Sequence, residues 1–279
     1  MGAINCKEIA QECCDNLKTI VKENNLKPIL TIYTMGDDDA SKVYVRNKMK
    51  KAEEIGIKCV HEKIKTIDKE TICFNSSFEF NEWDELSTHG KILQLPIPDG
   101  YDSAKIINQS FSSLEDVDGL TYENIGKLLT NYNGYYHIPC TAKGIAKILE
   151  KVTKIEGKNV LIINRSLLIG KPLAALLTNL NATVTLCHSK SDISKYKDIA
   201  DIVVSGIATP HYFKASDFPN AQVIIDASMN RDENGKLCGD FIQDREDVLY
   251  TPVPGGVGPM TVAMLMENTV NAALMAEGR

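Results

Sequence analysis

Four short β-branched runs in the second half of the chain constrain its fold more than any other feature: Val160-Leu-Ile-Ile163, Ala182-Thr-Val-Thr-Leu-Cys187, Ile202-Val-Val-Ser205 and Val223-Ile-Ile-Asp226. Helical or turn-rich stretches separate them, which is the sequence form of a doubly wound parallel sheet. The first half carries a similar alternation. Apolar side chains at helical spacing (Ile9, Cys13, Leu17, Val21) predict a helix over 4–24, and Pro28 precedes the β-rich run Ile29-Leu-Thr-Ile-Tyr-Thr34. A second helix is predicted from about Ser41 to Ile55, with Asp37 to Asp39 placing carboxylates at its positive N-terminal end. Short strands are predicted over 57–63 and 91–97, so this half too reads as βαβ-like with a parallel sheet. Residues 74–90 give mixed signals and receive no assignment. Lys143 to Lys154 predicts a helix crossing between the halves, and Asn234-Gly235 a hairpin excursion from the sheet.

At 279 residues the chain can form two domains, each with its own core. Its 43% hydrophobic and 24% charged residues are ordinary globular composition. A net charge of −6 argues against a nucleic-acid surface. Lys50-Lys51, set beside Glu53 and Glu54, reads as a solvated helix face rather than a phosphate track. The eight cysteines show no paired CxxC spacing, so reduced thiols are expected, and zinc is not. The N-terminus lacks the apolar core of a secretion signal, and no run approaches the roughly 18 apolar residues of a membrane span. The expectation is a soluble cytoplasmic protein with small-molecule or protein partners, without nucleic acid or membrane.

Several constellations bear on chemistry. Residues 251–261, Thr-Pro-Val-Pro-Gly-Gly-Val-Gly-Pro-Met-Thr, hold three prolines and three glycines just before the predicted helix Val262 to Ala276. Such a run fixes the backbone and leaves amides open to a flat ligand, and it equally fits a rigid turn capping the helix. The first strand of the second half ends in Asn164-Arg165-Ser166-Leu167-Leu168-Ile169-Gly170-Lys171-Pro172, before a helix predicted over Leu173 to Asn179. That turn sets free N–H groups and a positive helix end where a pyrophosphate would sit, although it is not a G-x-G-x-x-G and a plain strand-to-helix turn remains open. The next strand ends in Cys187-His188-Ser189-Lys190, where an acidic residue would favour NAD. Hydroxyl and basic groups there, with Arg165, point to a 2′-phosphate and hence NADP, while a helix cap would also explain His188 and Ser189. Tyr44 and Lys48 lie four apart on one predicted helix face, a pair that by itself fits solvated surface. Beside a pocket the tyrosine can stack on a flat heterocycle and the lysine can take a proton or polarise a water. Gln94 is a polar residue in an apolar strand and needs a specific partner. Asp118 can accept from an amino-pyrimidine ring.

Together these residues resemble the bifunctional methylenetetrahydrofolate dehydrogenase/methenyltetrahydrofolate cyclohydrolase family over nearly the whole chain. The resemblance rests on Pro254-Gly-Gly-Val-Gly-Pro-Met-Thr-Val262, Ala40-Ser-Lys-Val-Tyr44-Val-Arg-Asn-Lys48, Gln94-Leu-Pro96, Asp116-Val-Asp118-Gly119, Pro139-Cys-Thr141 with Lys143-Gly144, and Arg165-Ser166 with Gly170-Lys-Pro172, all in order. It implies two α/β domains flanking a folate cleft, the second Rossmann-like. Residues 1–138 would be the folate-binding catalytic domain and 139–261 the NADP-binding domain, with a C-terminal helix of about 262–279 packing back on the first. It also implies oxidation of the methylene form with NADP, NAD being possible. Hydrolysis to 10-formyltetrahydrofolate for one-carbon metabolism would follow, in a homodimer.

By motif, Lys48 would be the catalytic lysine of hydrolysis, Gln94 its tuning partner, Tyr44 the stacking ring and Asp118 the pterin contact. Leu93 and Leu95 would flank Gln94 in the substrate site. Pro254, Gly255, Gly256, Val257, Gly258, Pro259, Thr261 and Val262 would line the same cleft. Thr141, Asn164, Arg165, Ser166, Gly170, Ser189, Gly206 and Met229 would serve the cofactor. Asn164 departs from the family's usual glycine, and Met229 from an isoleucine beside a glycine; both bear on cofactor affinity. A short-chain dehydrogenase would place its Tyr-x-x-x-Lys after the glycine-rich turn, whereas Lys48 precedes Asn164. A dehydrogenase-only relative using NAD would differ at Lys48, Gln94 or Asp118, and a non-catalytic folate-binding regulator would not need the set complete.

Overall fold

The computed structural model describes residues 2–36, 39–66, 72–73 and 88–279. Asp37, Asp38 and most of the unassigned segment, residues 74–87, lie outside them. The chain divides into two compact units, each assembled from separate stretches. One comprises Cys13–Lys127, Gly134–Ile138 and Leu265–Arg279; the other comprises Met1–Glu12, Leu128–Asn133 and Pro139–Met264.

The chain begins with α1 (Cys6–Glu23), β1 (Ile29–Thr34), α2 (Asp39–Ile55), β2 (Lys58–Lys63), β3 (Gly90–Leu93), α3 (Ser103–Ser110) and α4 (Tyr122–Leu129). β1 lies between β2 and β3 in a parallel three-stranded sheet, with Leu30 opposite both Cys59 and Gly90. A parallel β1–β2 pair requires a crossover, and α2 supplies it. Ile29, Leu30 and Ile32 are buried, as a strand covered on both faces requires. The buried stripe of α1 is Cys6, Ala10, Cys14, Leu17 and Val21. Ile9 and Cys13, expected on that stripe, are half-buried beside it, because Leu17 and Val21 fit two adjoining helical rows and packing selects one. The strand expected over 91–97 stops at Leu93. Gln94 still donates its N–H to Tyr33 O at 2.8 Å, but Pro96 has no donor to carry the ladder further.

The second half continues with α5 (Cys140–Val152), β4 (Asn159–Ile163), α6 (Gly170–Asn179), β5 (Thr183–Cys187), β6 (Ile202–Ser205), β7 (Val223–Asp226), β8 (Leu249–Tyr250) and α7 (Val257–Ala276). Its sheet is parallel throughout, in the order β8-β7-β6-β4-β5. The four strands read from sequence fall within one residue of their expected positions; the fifth, β8, is two half-buried residues, too short for a periodic signal. Because β5 and β6 flank β4 on opposite sides, the strand order reverses at β4, and ligands of such sheets bind at that carboxyl edge. The core is tied by Phe213, Phe218 and Phe241, whose ring centroids lie 5.5–5.9 Å apart. Fully burying each such ring stabilises by about 1.5–3 kcal/mol.

All three predicted helix starts in this half come late, α5 beginning at Cys140 rather than Lys143. α6 begins at Gly170, since Pro172 is accommodated in a first turn where its missing N–H costs nothing. α7 begins at Val257, so the last five residues of the Pro/Gly run, Val257 to Thr261, are helix rather than loop. The expected hairpin is present: Asn230–Arg231 pairs with Leu237–Cys238, Gly235 has φ +75°, and Asp232 Oδ1 accepts from Asn234 N and Lys236 N, both at 2.9 Å. Ile4 N donates to Tyr250 O at 2.8 Å, so the N-terminal residues run beside β8.

Candidate active site

α2 presents Tyr44 and Lys48 one turn apart, with Val45 and Ala52 turned into the core. Lys48 Nζ donates to Gln94 Oε1 at 2.8 Å, across 46 positions of sequence. The Gln94 amide is in turn spent on Leu95 O at 2.7 Å, so Gln94 can face the lysine only as an acceptor. Gln94 is 9% exposed, Tyr44 is 42% exposed and Lys48 is half-buried, an arrangement with a fixed base and an open rim. Cys59 on β2 feels the Lys48 charge, but burial dominates and pushes its thiol up to about 11, leaving it protonated near neutral pH. Leu93 is only 2% exposed, so its side chain belongs to the core rather than to a ligand surface; Leu95 is half-buried.

Asp118 sits half-exposed on a turn whose support was not legible in the motif. Asp116 is 1% exposed and accepts from Thr121 N at 2.6 Å and Asn124 Nδ2 at 3.1 Å. Burial raises the Asp116 carboxyl above its ordinary range in spite of these donors. Lys91 N donates to Glu115 O, Lys91 Nζ pairs with Glu115 at 2.7 Å, and Asn268 on α7 donates to Val117 O at 2.9 Å. Backbone and side chains thus clamp both flanks of Asp118 while leaving its carboxylate outward.

In the Pro/Gly run, Gly255 has φ +102°, a region costly to side chains, and a Cβ on Gly256 would lie 2.5 Å from Pro252 O. Pro254 and Gly258 are exposed, Pro259, Thr261 and Val262 are half-buried, and Val257 is core at 5%. Thr261 Oγ1 lies 3.3 Å from both Val257 O and Thr141 Oγ1, which joins the first turns of α7 and α5.

At the carboxyl edge of the five-stranded sheet, register decides which residues meet. Ile163 pairs with Cys187, and Arg165 and Ser189 each stand two residues beyond that pair, both exposed. Ile163 also pairs with Ser205, which places Gly206 next to the β4 turn; Met229 is exposed three residues past β7. A Cβ on Gly170 would collide with Asn164 O, so the α6 turn closes against the end of β4 only with glycine there. Two of the N–H groups expected to be free in this turn are taken: Asn164 Oδ1 accepts from Ser166 N at 2.7 Å and Gly170 N at 3.0 Å, and from Ser166 Oγ at 2.8 Å. His188 Nδ1 accepts from Lys190 N and Ser191 Oγ from His188 N, so the capping role expected of Ser189 falls on its neighbours.

Two carboxylates that no motif marked organise this edge. Asp240 is fully buried and accepts from Ser205 Oγ (2.6 Å), Ile207 N (2.9 Å), Thr209 N (3.0 Å), Ser228 Oγ (2.7 Å) and Asn230 Nδ2 (3.1 Å). It therefore fixes the loops that carry Gly206 and Met229. Asp226, closing β7, accepts from Ser228 N and Phe241 N; burial first, then the Asp240 charge, push its carboxyl up to about 7. Asp226, Gln243 and Thr251 also line a cavity of about 330 Å³.

The catalytic-domain model of the tetrahydrofolate dehydrogenase/cyclohydrolase family matches residues 4–118, and the family's NAD(P)-binding-domain model matches 139–277. A bifunctional FolD protein of Wolbachia sp. subsp. Drosophila simulans (strain wRi) is 39% identical over 286 residues, covering 99% of this chain and 96% of its own. The Campylobacter jejuni bifunctional FolD structure is 34% identical with a TM-score of 0.84, covering 99% of this chain and all of its own. The Trypanosoma brucei FolD structure, complexed with NADP cofactor and inhibitor, is 27% identical with a TM-score of 0.81, covering 98% and 96%. The chain belongs to the tetrahydrofolate dehydrogenase/cyclohydrolase family.

Proposed function

We propose that this protein oxidises 5,10-methylenetetrahydrofolate to 5,10-methenyltetrahydrofolate with NADP, and hydrolyses the methenyl form to 10-formyltetrahydrofolate. The Lys48–Gln94 hydrogen bond carries the reading, because it sets a proton-exchanging group at a fixed direction beside an exposed aromatic ring. Bound NADP supplies the hydride acceptor. Removing a hydride from the methylene carbon needs alignment of donor and acceptor and no acid or base from the protein. The second step adds water to the methenyl carbon, opens its bond to one nitrogen and releases one proton overall. Lys48 exchanges that proton with the water, and Gln94, unable to rotate without losing Leu95 O, holds Nζ in place. Tyr44 stacks on the flat heterocycle, and Asp118 accepts from its amino-pyrimidine edge.

On the cofactor side, Arg165 and Ser189 bind the 2′-phosphate, the arginine through its planar fork. Thr141, Ser166, Gly170, Gly206 and Met229 shape the rest of that crevice. What supports a dinucleotide here is the topological switch point and the exposed Arg165 and Ser189, each two residues beyond the paired ends of β4 and β5. We extend the reading to a cytoplasmic protein that forms a homodimer, with the exposed apolar side chains Tyr212 and Ile242 as candidates for its seam. Among the described residues, no helix is long and apolar enough to cross a membrane.

The deciding experiment supplies methylenetetrahydrofolate with either NADP or NAD and follows reduced nicotinamide and methenyl product together. Reduced nicotinamide appearing first, methenyl consumed afterwards and faster turnover with NADP are expected. Persistent methenyl product, or a preference for NAD, would refute the corresponding half of the reading.

A further inference from the structure

In the turn after β4, the amides of Ser166 and of the start of α6 find their acceptors within the chain. Asn164 Oδ1 receives three donors, and Ser166 Oγ accepts from Ile169 N at 3.1 Å. Lys171 N donates to Ser166 O at 3.1 Å and Leu173 N to Ile169 O at 2.9 Å, while Pro172 has no N–H. From Ile169 to Leu173, therefore, no amide at the start of α6 is left for a ligand. Asn164 Nδ2 meanwhile donates to Gly206 O at 2.6 Å, locking the turn to the loop after β6. A helix N-terminus normally draws an anionic oxygen to such donors. Here a carboxamide oxygen of the chain itself sits among them, at a position where the family resemblance calls for a glycine that would leave them open.

We infer that Asn164 is a resident stand-in for a diphosphate oxygen, so that this chain holds its dinucleotide through the 2′-phosphate side and not through the amides of the α6 turn. The inference rests on the NADP reading above. The diphosphate is common to NAD and NADP, whereas only NADP carries the group that Arg165 and Ser189 face. Silencing the shared contact thus leaves the discriminating one dominant.

Calorimetric titration of the full chain, without turnover, tests this. The unaltered protein should bind 2′-AMP and give no signal with inorganic pyrophosphate at millimolar concentration. Asn164→Gly should acquire pyrophosphate binding and hold NADP and NAD alike about tenfold more tightly, the gain expected from newly available charge-assisted donors. Its ligand-free melting temperature should fall, because the Ser166 and Gly170 amides lose their partner. Pyrophosphate binding to the unaltered protein, or cofactor affinities in Asn164→Gly that are unchanged or weaker, would overturn the inference. Should that variant fail to fold, the pyrophosphate titration of the unaltered protein decides alone. If 2′-AMP fails to bind while pyrophosphate stays silent, the 2′-phosphate reading and this inference both fall; if 2′-AMP and pyrophosphate both bind, only the inference does.

Discussion

Lys48 and Gln94 show how much a single hydrogen bond can specify. Replacing Lys48 by methionine keeps the stem's bulk and removes the proton-exchanging atom, so Lys48→Met should lower the cyclohydrolase rate by about two to four orders of magnitude. Folate and dinucleotide should still bind; a normal rate of methenyl hydrolysis would remove Lys48 from the mechanism. Asp226 makes a different prediction. Burial, then the Asp240 charge, push its folded carboxyl up from an ordinary 3.8 to about 7, so between those values the native state retains a proton that the unfolded chain has released. Stability then declines as pH rises through that window, by up to about 1.4 kcal/mol per pH unit, and the contribution is level above it. Asp226→Asn should lack this component. In urea titrations from pH 5 to 8, the stability difference between the parent protein and the variant should shrink with rising pH and then flatten. A constant difference would show that Asp226 is ionised throughout.

Elements were legible where the local pattern decides and blurred where packing does. The four strands of the second half lie within a residue of their β-branched runs, because strands buried in a parallel sheet are continuous apolar segments bounded by turns. The starts of α6 and α7 were misplaced for one reason. Gly and Pro read as loop, yet both fit a first helical turn, where donors are unpaired anyway. Gly170 illustrates the constraint that spacing hides. Its Cβ position is filled by Asn164 O, so Gly170→Ala must push β4 and α6 apart and should cost about 2–3 kcal/mol or more, read as a lower denaturation midpoint. A neutral substitution would mean that the turn is not closed as described.

Over the whole molecule, three stretches form each unit, and a division at one boundary in the sequence would not describe them: Met1–Glu12 joins the five-stranded unit and Leu265–Arg279 the three-stranded one. The homodimer proposal belongs at this scale. Sedimentation equilibrium should give twice the chain mass, and charged substitutions at Tyr212 and Ile242 together should halve it; a monomer for the unaltered protein would end the proposal. The sequence by itself determined the α/β class, the four β-branched strands of the second half and the ordered motifs of the family, since propensity, turn chemistry and motif order are all local properties. Only the tertiary structure decided that Asn164 silences its own turn, that Asp240 binds two loops and that Asn268 reaches Val117. Asn164 is tied to Gly206 O, Asp240 to donors on two loops and Asn268 to Val117 O, so each depends on a partner from a distant part of the chain that local sequence does not reveal.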